Sequence, residues 1–156
     1  MDDPLRQLLA RTLDWHDAHA SFDSAIADLP PELRGQRPAG APHSVWELVE
    51  HIRLAQRDIL DFCRDEHYEE RRWPDDYWPP SPSPSSASEW NDSVEAYHAD
   101  LDALRALALD PDFDLFATVP WGSGQTNLRE VVLVVDHTAY HVGQIVLVRR
   151  LLGAWG

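Results

Sequence analysis

Cysteine is nearly absent from this chain, since Cys63 is the only one among 156 residues. A single cysteine excludes an intramolecular disulfide and a zinc site built from several cysteines. Such sparing use of cysteine is typical of proteins of the reducing cytoplasm. We therefore expect a cytoplasmic protein.

Positive charge is also scarce. The chain has 13 basic residues, all arginine and dispersed along the sequence, against 27 acidic ones, which gives a net charge of -14 and an isoelectric point near 4.7. A protein that binds a phosphate backbone or an anionic membrane surface needs a basic patch. The expected partners therefore include neither nucleic acid nor a membrane.

Long apolar runs and familiar catalytic motifs are missing as well. No uninterrupted apolar run approaches the roughly 18 residues that a membrane span requires, and residues 1–4 lack the basic and apolar regions of a signal peptide. No G-x-S-x-G motif and no glycine-rich phosphate loop occurs. The length and a hydrophobic content of 44% predict one globular domain over residues 1–156.

The sequence does contain four segments with the apolar spacing of a buried helix face. The capping and stop signals predict helices over residues 3–29, 44–63, 86–109 and 126–152. The first carries a stripe at the following positions: Leu5, Leu8, Thr12, Trp15, His19, Phe22, Ile26 and Leu29. The pattern favours an all-α four-helix bundle.

The fourth segment admits a second interpretation. Its valine-rich runs, residues 131–135 and 145–148, could form short strands, which would give a helical domain with a small sheet. Helix is favoured because the apolar character continues from Leu128 to Leu152 with only Gly143 as a breaker. A helix that is apolar nearly all round is buried on more than one side, so we expect a homodimer.

Three long connections remain, at residues 31–43, 68–87 and 110–126. Connections of this length often carry function when they are ordered. The second contains Trp73, Tyr77 and Trp78, and these aromatic residues predict a loop that packs against the body of the protein.

Two histidines four residues apart, His137 and His141, lie within the apolar fourth segment. On a helix both imidazoles face the same way, and neutral imidazole is the commonest protein ligand of a transition metal. An isolated pair of this kind is more often two hydrogen-bonded core histidines than a metal site. His51, at the border of the buried stripe of the second helix, would complete a three-ligand site that leaves a coordination position open.

The segments around these histidines resemble a known family. Residues 44–51 are similar to the second-helix motif of the DinB/YfiT superfamily, and residues 136–145 and 149–153 are similar to its last helix. The resemblance implies a four-helix bundle with a long crossover between the second and third helices, for which residues 68–87 are available, and it implies frequent homodimers. It also implies a divalent metal, zinc or nickel, bound by His51, His137 and His141.

The activity that the resemblance implies is less specific. Characterised members include S-transferases that use low-molecular-weight thiols, an isomerase and proposed hydrolases. A metal-bound thiol or water could serve as the nucleophile, and the sequence does not choose between S-transfer and hydrolysis. The alternative is a non-catalytic, stress-related binding module in which the metal is structural or absent.

Other polar residues receive weaker assignments. His19 is a candidate pocket residue, although a hydrogen-bonded core histidine is the plainer interpretation. Gln144 is a second candidate, for which a packing role is equally plain. His16 lies one position off the buried stripe of the first helix. Glu47 could orient His51 from one turn away, but its capping-box position makes it first a cap. Cys63 lies twelve residues after His51, about 18 Å along a helix, and is too far to act at the metal.

Glu50 and Asp136 each adjoin one of the three histidines in sequence. Neighbouring residues on a helix face different directions. We therefore assign neither carboxylate to the site.

Overall fold

Five helices build the computed structural model, which describes residues 3–156. Their bounds are as follows: α1, Pro4–Thr12; α2, Phe22–Ile26; α3, Val45–Arg64; α4, Ala87–Leu109; α5, Asn127–Leu151. Two single turns of 3₁₀ helix lie in the connections, at Pro31–Leu33 and Asp75–Tyr77. Within residues 3–156 there is no strand, only an isolated bridge between Thr118 and Thr126. The all-α prediction is confirmed, and the alternative with a short sheet is wrong.

Local sequence signals account for the helix ends. Ser44 and Glu47 form a reciprocal capping box at the start of α3, and Ser86 caps α4 by accepting a hydrogen bond from the Glu89 amide. Thr126 takes the cap position of α5. These side chains satisfy amides that have no partner within the helix. Gly153 follows α5 with a φ of +69°, a conformation that glycine adopts without steric cost.

The single helix predicted over residues 3–29 is wrong, because the chain forms two helices with a break at residues 13–21. Residues 14–19 are rich in aspartate and histidine, which are weak helix formers. The Ser21 hydroxyl starts α2 by accepting a hydrogen bond from the Ser24 amide at 3.1 Å. The predicted stripe is displaced before residue 16, where Leu5, Leu8 and Trp15 are exposed and the core takes Leu9 and Leu13. Its later members Phe22 and Leu29 are buried as predicted.

The order of the helices explains the long crossover. Trp46 packs against Trp90 near the starts of α3 and α4, and Arg57 reaches Asp100 further along both helices at 3.1 Å. The two helices therefore run parallel, which requires the chain to return along the bundle between them. Residues 65–86 make this return, as the resemblance implied.

Helices α3 and α5 run antiparallel. His51, in the first half of α3, meets His137, whereas Trp121, just before α5, donates its indole N–H to the carbonyl of Phe62 near the end of α3 (2.9 Å). This arrangement places the His51 turn of α3 opposite the middle of α5.

The most apolar helix, α5, occupies a central position and contacts α1, α2 and α3. By length and composition alone it could cross a membrane: it has 25 residues and an 18-residue window of mean hydropathy 1.5. The core helix of a soluble protein can have the same length and apolar composition. The window contains no uninterrupted apolar run of this length, because a few polar residues interrupt it.

Candidate metal centre

Three histidines converge between α3 and α5. His51 comes from α3, and His137 and His141 come from successive turns of α5; one ring nitrogen of each lies within 4.8 Å of the others. The Nε2 atoms of His51 and His137 are 3.0 Å apart. In the part of the chain that the structure describes, this is the one cluster of three side chains spaced to hold a metal ion. The helix packing thus brings together the three residues named from the sequence.

Hydrogen bonds on the far side of the rings set the direction of two of them. The Nδ1–H of His51 donates to the backbone carbonyl of Tyr77 at 2.8 Å, and the Nδ1–H of His141 donates to the side-chain oxygen of Gln144 at 2.7 Å. These acceptors have no proton to give, so Nδ1 of each neutral ring carries the hydrogen. Nε2 of each ring therefore carries no hydrogen, and its lone pair is available to a metal, as metal-binding imidazoles require; in the metal-free protein Nε2 of His51 contacts Nε2 of His137.

An aromatic stack holds the plane of the His51 ring. Trp78 lies flat on His51, with ring centroids 4.0 Å apart and an interplanar angle of 1°. His43 stacks on Trp78, also at 4.0 Å. The connection that carries Trp78 is fastened near the start of α3, where the Ser44 hydroxyl donates to the Pro82 carbonyl at 2.6 Å. The crossover therefore packs on the body, as its aromatic residues predict, and it restrains one of the three rings.

Burial keeps the three imidazoles neutral. Removal from water, together with repulsion between the rings, lowers the pKa of His137 to about 3. Burial lowers the pKa of His141 to about 4, although the hydrogen bond to Gln144 acts in the opposite direction, and burial also lowers the pKa of His51. A neutral imidazole is the form that ligates a metal, so the cluster is ready to bind without first losing protons at neutral pH.

Nearby carboxylates have partners elsewhere. Glu47 accepts hydrogen bonds from Arg37 and from the Ser44 amide, so it is a cap and not the residue that orients His51. Glu50 pairs with Arg53 and with the Ser93 hydroxyl, which ties α3 to α4. A divalent ion at the three histidines would therefore keep its full charge, and this increases its strength as a Lewis acid.

The remaining candidates fall into two groups. Gln144 lies at the cluster through its contact with His141. His16 and His19 are exposed in the break between α1 and α2, and their rings contact the nearby backbone carbonyls of Asp14 and Ala20. The buried position expected for His19 is therefore wrong, because the continuous helix that would have placed it there does not form.

Cys63 is buried, and burial raises the pKa of its thiol to about 12.

Sequence reasoning missed three contributors to the cluster: the Tyr77 carbonyl, Trp78 and His43. A backbone carbonyl has no side-chain signature, so nothing in the pattern marks Tyr77 as the acceptor for His51. Trp78 belonged to the loop aromatics that predicted packing, but its partner depends on the path of the crossover. His43 comes from a proline-rich connection with no periodic pattern.

Comparison with known protein families gives a match over most of the chain. The model of the DinB superfamily matches residues 14–145, which include α2 to α4 and all three histidines. Neither curated proteins nor solved structures gave a match.

Proposed function

This chain belongs to the DinB superfamily, and on that premise we propose that it is a metal-dependent enzyme in which His51, His137 and His141 bind one divalent ion. Zinc and nickel are the ions that the family resemblance implies, and imidazole ligands suit both. The proposed reaction is attack of a small nucleophile, either a low-molecular-weight thiol or water, on a small-molecule substrate.

One observation carries this proposal, namely the convergence of three neutral imidazoles, two of which have their Nδ1 atoms engaged in hydrogen bonds. A cation bound between the rings would take a lone pair from each neutral imidazole. Three protein ligands are also the number found in catalytic zinc sites, where a further position stays open.

The chemistry follows from the donor set. A divalent ion held there would supply a Lewis acid that lowers the pKa of a thiol or water in its open position. The protein's own residues fix the geometry: Tyr77 and Gln144 hold two rings by their Nδ1 atoms, and Trp78 restrains the plane of His51. A thiolate would give S-transfer to an electrophile, and hydroxide would give hydrolysis.

A substrate panel tests the proposal. The purified protein, its chelator-treated form and the form reloaded with zinc or nickel would be assayed against electrophiles with added thiols and against esters and amides. We expect turnover that disappears with the metal and returns on reloading. Metal retained without turnover of any panel member would favour the non-catalytic binding module.

We also propose that two copies associate through α5. Four large apolar residues of this helix are exposed: Val132, Tyr140, Leu147 and Leu151. They lie on a single face of the helix, which also exposes Asp136 and Arg150. A cluster of exposed large apolar side chains of this kind marks protein interfaces.

A further inference from the structure

A cavity of about 420 Å³ lies in the groove between the second half of α3 and the start of α5. Its walls combine aromatic rings with carboxylates. The lining includes Asp58, Phe62, Tyr68, Tyr77, Trp121 and Glu130. The proposed function does not assign any role to this space.

The cavity and the histidine cluster are neighbours. Asp58 follows His51 by two turns of α3, and Leu133, which also lines the cavity, precedes His137 by one turn of α5. Tyr77 contacts both the cluster and the cavity. Its carbonyl accepts a hydrogen bond from the His51 ring, and its hydroxyl donates a hydrogen bond to Asp58 at 2.6 Å. A molecule of moderate size in the cavity could therefore extend to the histidines.

Two of the cavity's carboxylates are removed from bulk water. Asp58 is 9% exposed and Glu130 is 3% exposed. Asp58 accepts hydrogen bonds from the hydroxyls of Tyr77 and Tyr68, which orient it, and it pairs with Arg71 at 3.5 Å. Glu130 pairs with Arg129 at 2.7 Å, and the Arg129 side chain, 56% exposed, also lines the cavity.

The lining carries three carboxylates, those of Asp58, Glu70 and Glu130, against one guanidinium, that of Arg129, so its excess charge is negative and favours a cation. Carboxylates in a partly desolvated space attract cations more strongly than in water, and faces of tryptophan and tyrosine bind ammonium groups through cation–π interactions. The net charge of -14 adds a field that attracts cations and repels anions.

We propose that this cavity binds the ammonium group of a small organic cation, a protonated amine or a quaternary ammonium, and so defines the substrate class. The proposal rests on the proposed function insofar as the cation is a substrate whose reacting end lies at the histidine cluster. Binding of the ammonium group by itself depends only on the cavity.

Isothermal titration calorimetry with matched probes tests this assignment. Benzylamine at neutral pH and benzyltrimethylammonium carry the positive charge, whereas benzyl alcohol and benzoate are neutral and anionic probes of similar shape. We expect both cations to bind and the other two to bind at least about tenfold more weakly. Equal binding of benzyl alcohol or benzoate, or no binding of either cation, would overturn the proposal.

Substitutions in the cavity wall test whether the cation binds there. Glu130→Gln should weaken cation binding about tenfold, whereas the same substitution at exposed Glu66 should leave it unchanged. Trp121→Leu, at a partly exposed position, should weaken it severalfold and serves as a second test if Glu130→Gln does not fold. Unchanged binding in both cavity variants would overturn the assignment.

Metal content measured in the same samples separates the two proposals. Cation binding in a protein that takes up no metal would refute the metal-dependent enzyme and leave the cavity assignment standing. Stoichiometric metal with no cation binding would refute only the cavity assignment.

Discussion

At the scale of single residues, the direction of the imidazole rings depends on acceptors of two kinds. His51 is held by a backbone carbonyl, that of Tyr77, and His141 by a side chain, that of Gln144. Such partners outside the metal ligands fix the tautomer and the ring orientation, and their loss typically reduces metal affinity about 10- to 100-fold. Only the Gln144 contact can be removed by substitution.

Gln144→Leu should therefore weaken metal binding by about one order of magnitude or more while the helical content stays the same. Competition with a chromogenic chelator measures the affinity, and circular dichroism measures the fold. Gln36→Leu, at an exposed position, is the matched control and should bind metal as the parent does. Equal affinity in the Gln144 variant would show that His141 is not oriented by this contact.

Acidification should destabilise the metal-free protein. Burial lowers the pKa of His137 to about 3, whereas an ordinary histidine of the unfolded chain titrates near 6.5. Between these values the unfolded state binds more protons, so the free energy of unfolding falls as the pH falls.

For His137 alone the expected loss between pH 7 and pH 5 is about 2 kcal/mol. Urea unfolding of chelator-treated protein at both pH values measures it. His137→Gln should reduce this dependence, whereas a dependence equal to the parent's would contradict the assignment of the titration to His137.

The sequence was sufficient to name the three histidines but not what holds them. The i,i+4 spacing of His137 and His141 gives a shared face from the chain alone. His51 was a candidate from its place at the border of the second helix's stripe, but its meeting with the pair was implied only by the resemblance, because no local pattern states which turn of another helix will lie opposite. The Tyr77 carbonyl was beyond reach, since any backbone group of the crossover could have served.

At the scale of elements, several helix ends were predictable from local capping and stop signals. Ser44, Ser86 and Gly153 act locally, within a turn of their own position, and their roles follow from the sequence. The break after α1 was not predictable in the same way, because apolar residues keep helical spacing across residues 13–21. A competing cap at Ser21 and a run of weak helix formers decide the outcome there.

Ser44→Ala should lower the free energy of unfolding by about 1–2 kcal/mol, because it removes a buried cap together with the hydrogen bond to the Pro82 carbonyl. Ser86→Ala removes only the cap of α4 and should cost less, about 0.5–1 kcal/mol. Urea denaturation of both variants measures the difference. Equal costs would show that the bond to the crossover contributes nothing to stability.

At the scale of the whole molecule, chain direction creates the candidate site. The parallel pair α3 and α4 obliges the chain to cross over through residues 65–86, and this crossover carries Tyr77 and Trp78 to the histidines. The antiparallel pair α3 and α5 places His51 opposite His137 and His141. An antiparallel α3–α4 hairpin would need no crossover, and two of the supports of His51 would be lost.

The exposed apolar face of α5 predicts a homodimer at micromolar concentration, to be measured by sedimentation velocity. Leu147→Glu places a charge on this face and should shift the protein to a monomer, since burying an unpaired charge is costly. Leu8→Glu, at an exposed apolar position of α1, should leave the dimer intact. A parent protein that is monomeric throughout would contradict the proposed association.

The central claim, that His51, His137 and His141 form a metal site, is tested most directly by elemental analysis of the purified protein beside His137→Ala. His67→Ala, which removes an exposed histidine, is the matched control. The account predicts one zinc or nickel ion per chain in the parent and in the control, and essentially none in His137→Ala. Stoichiometric metal in His137→Ala, or none in the parent after exposure to both ions, would contradict it.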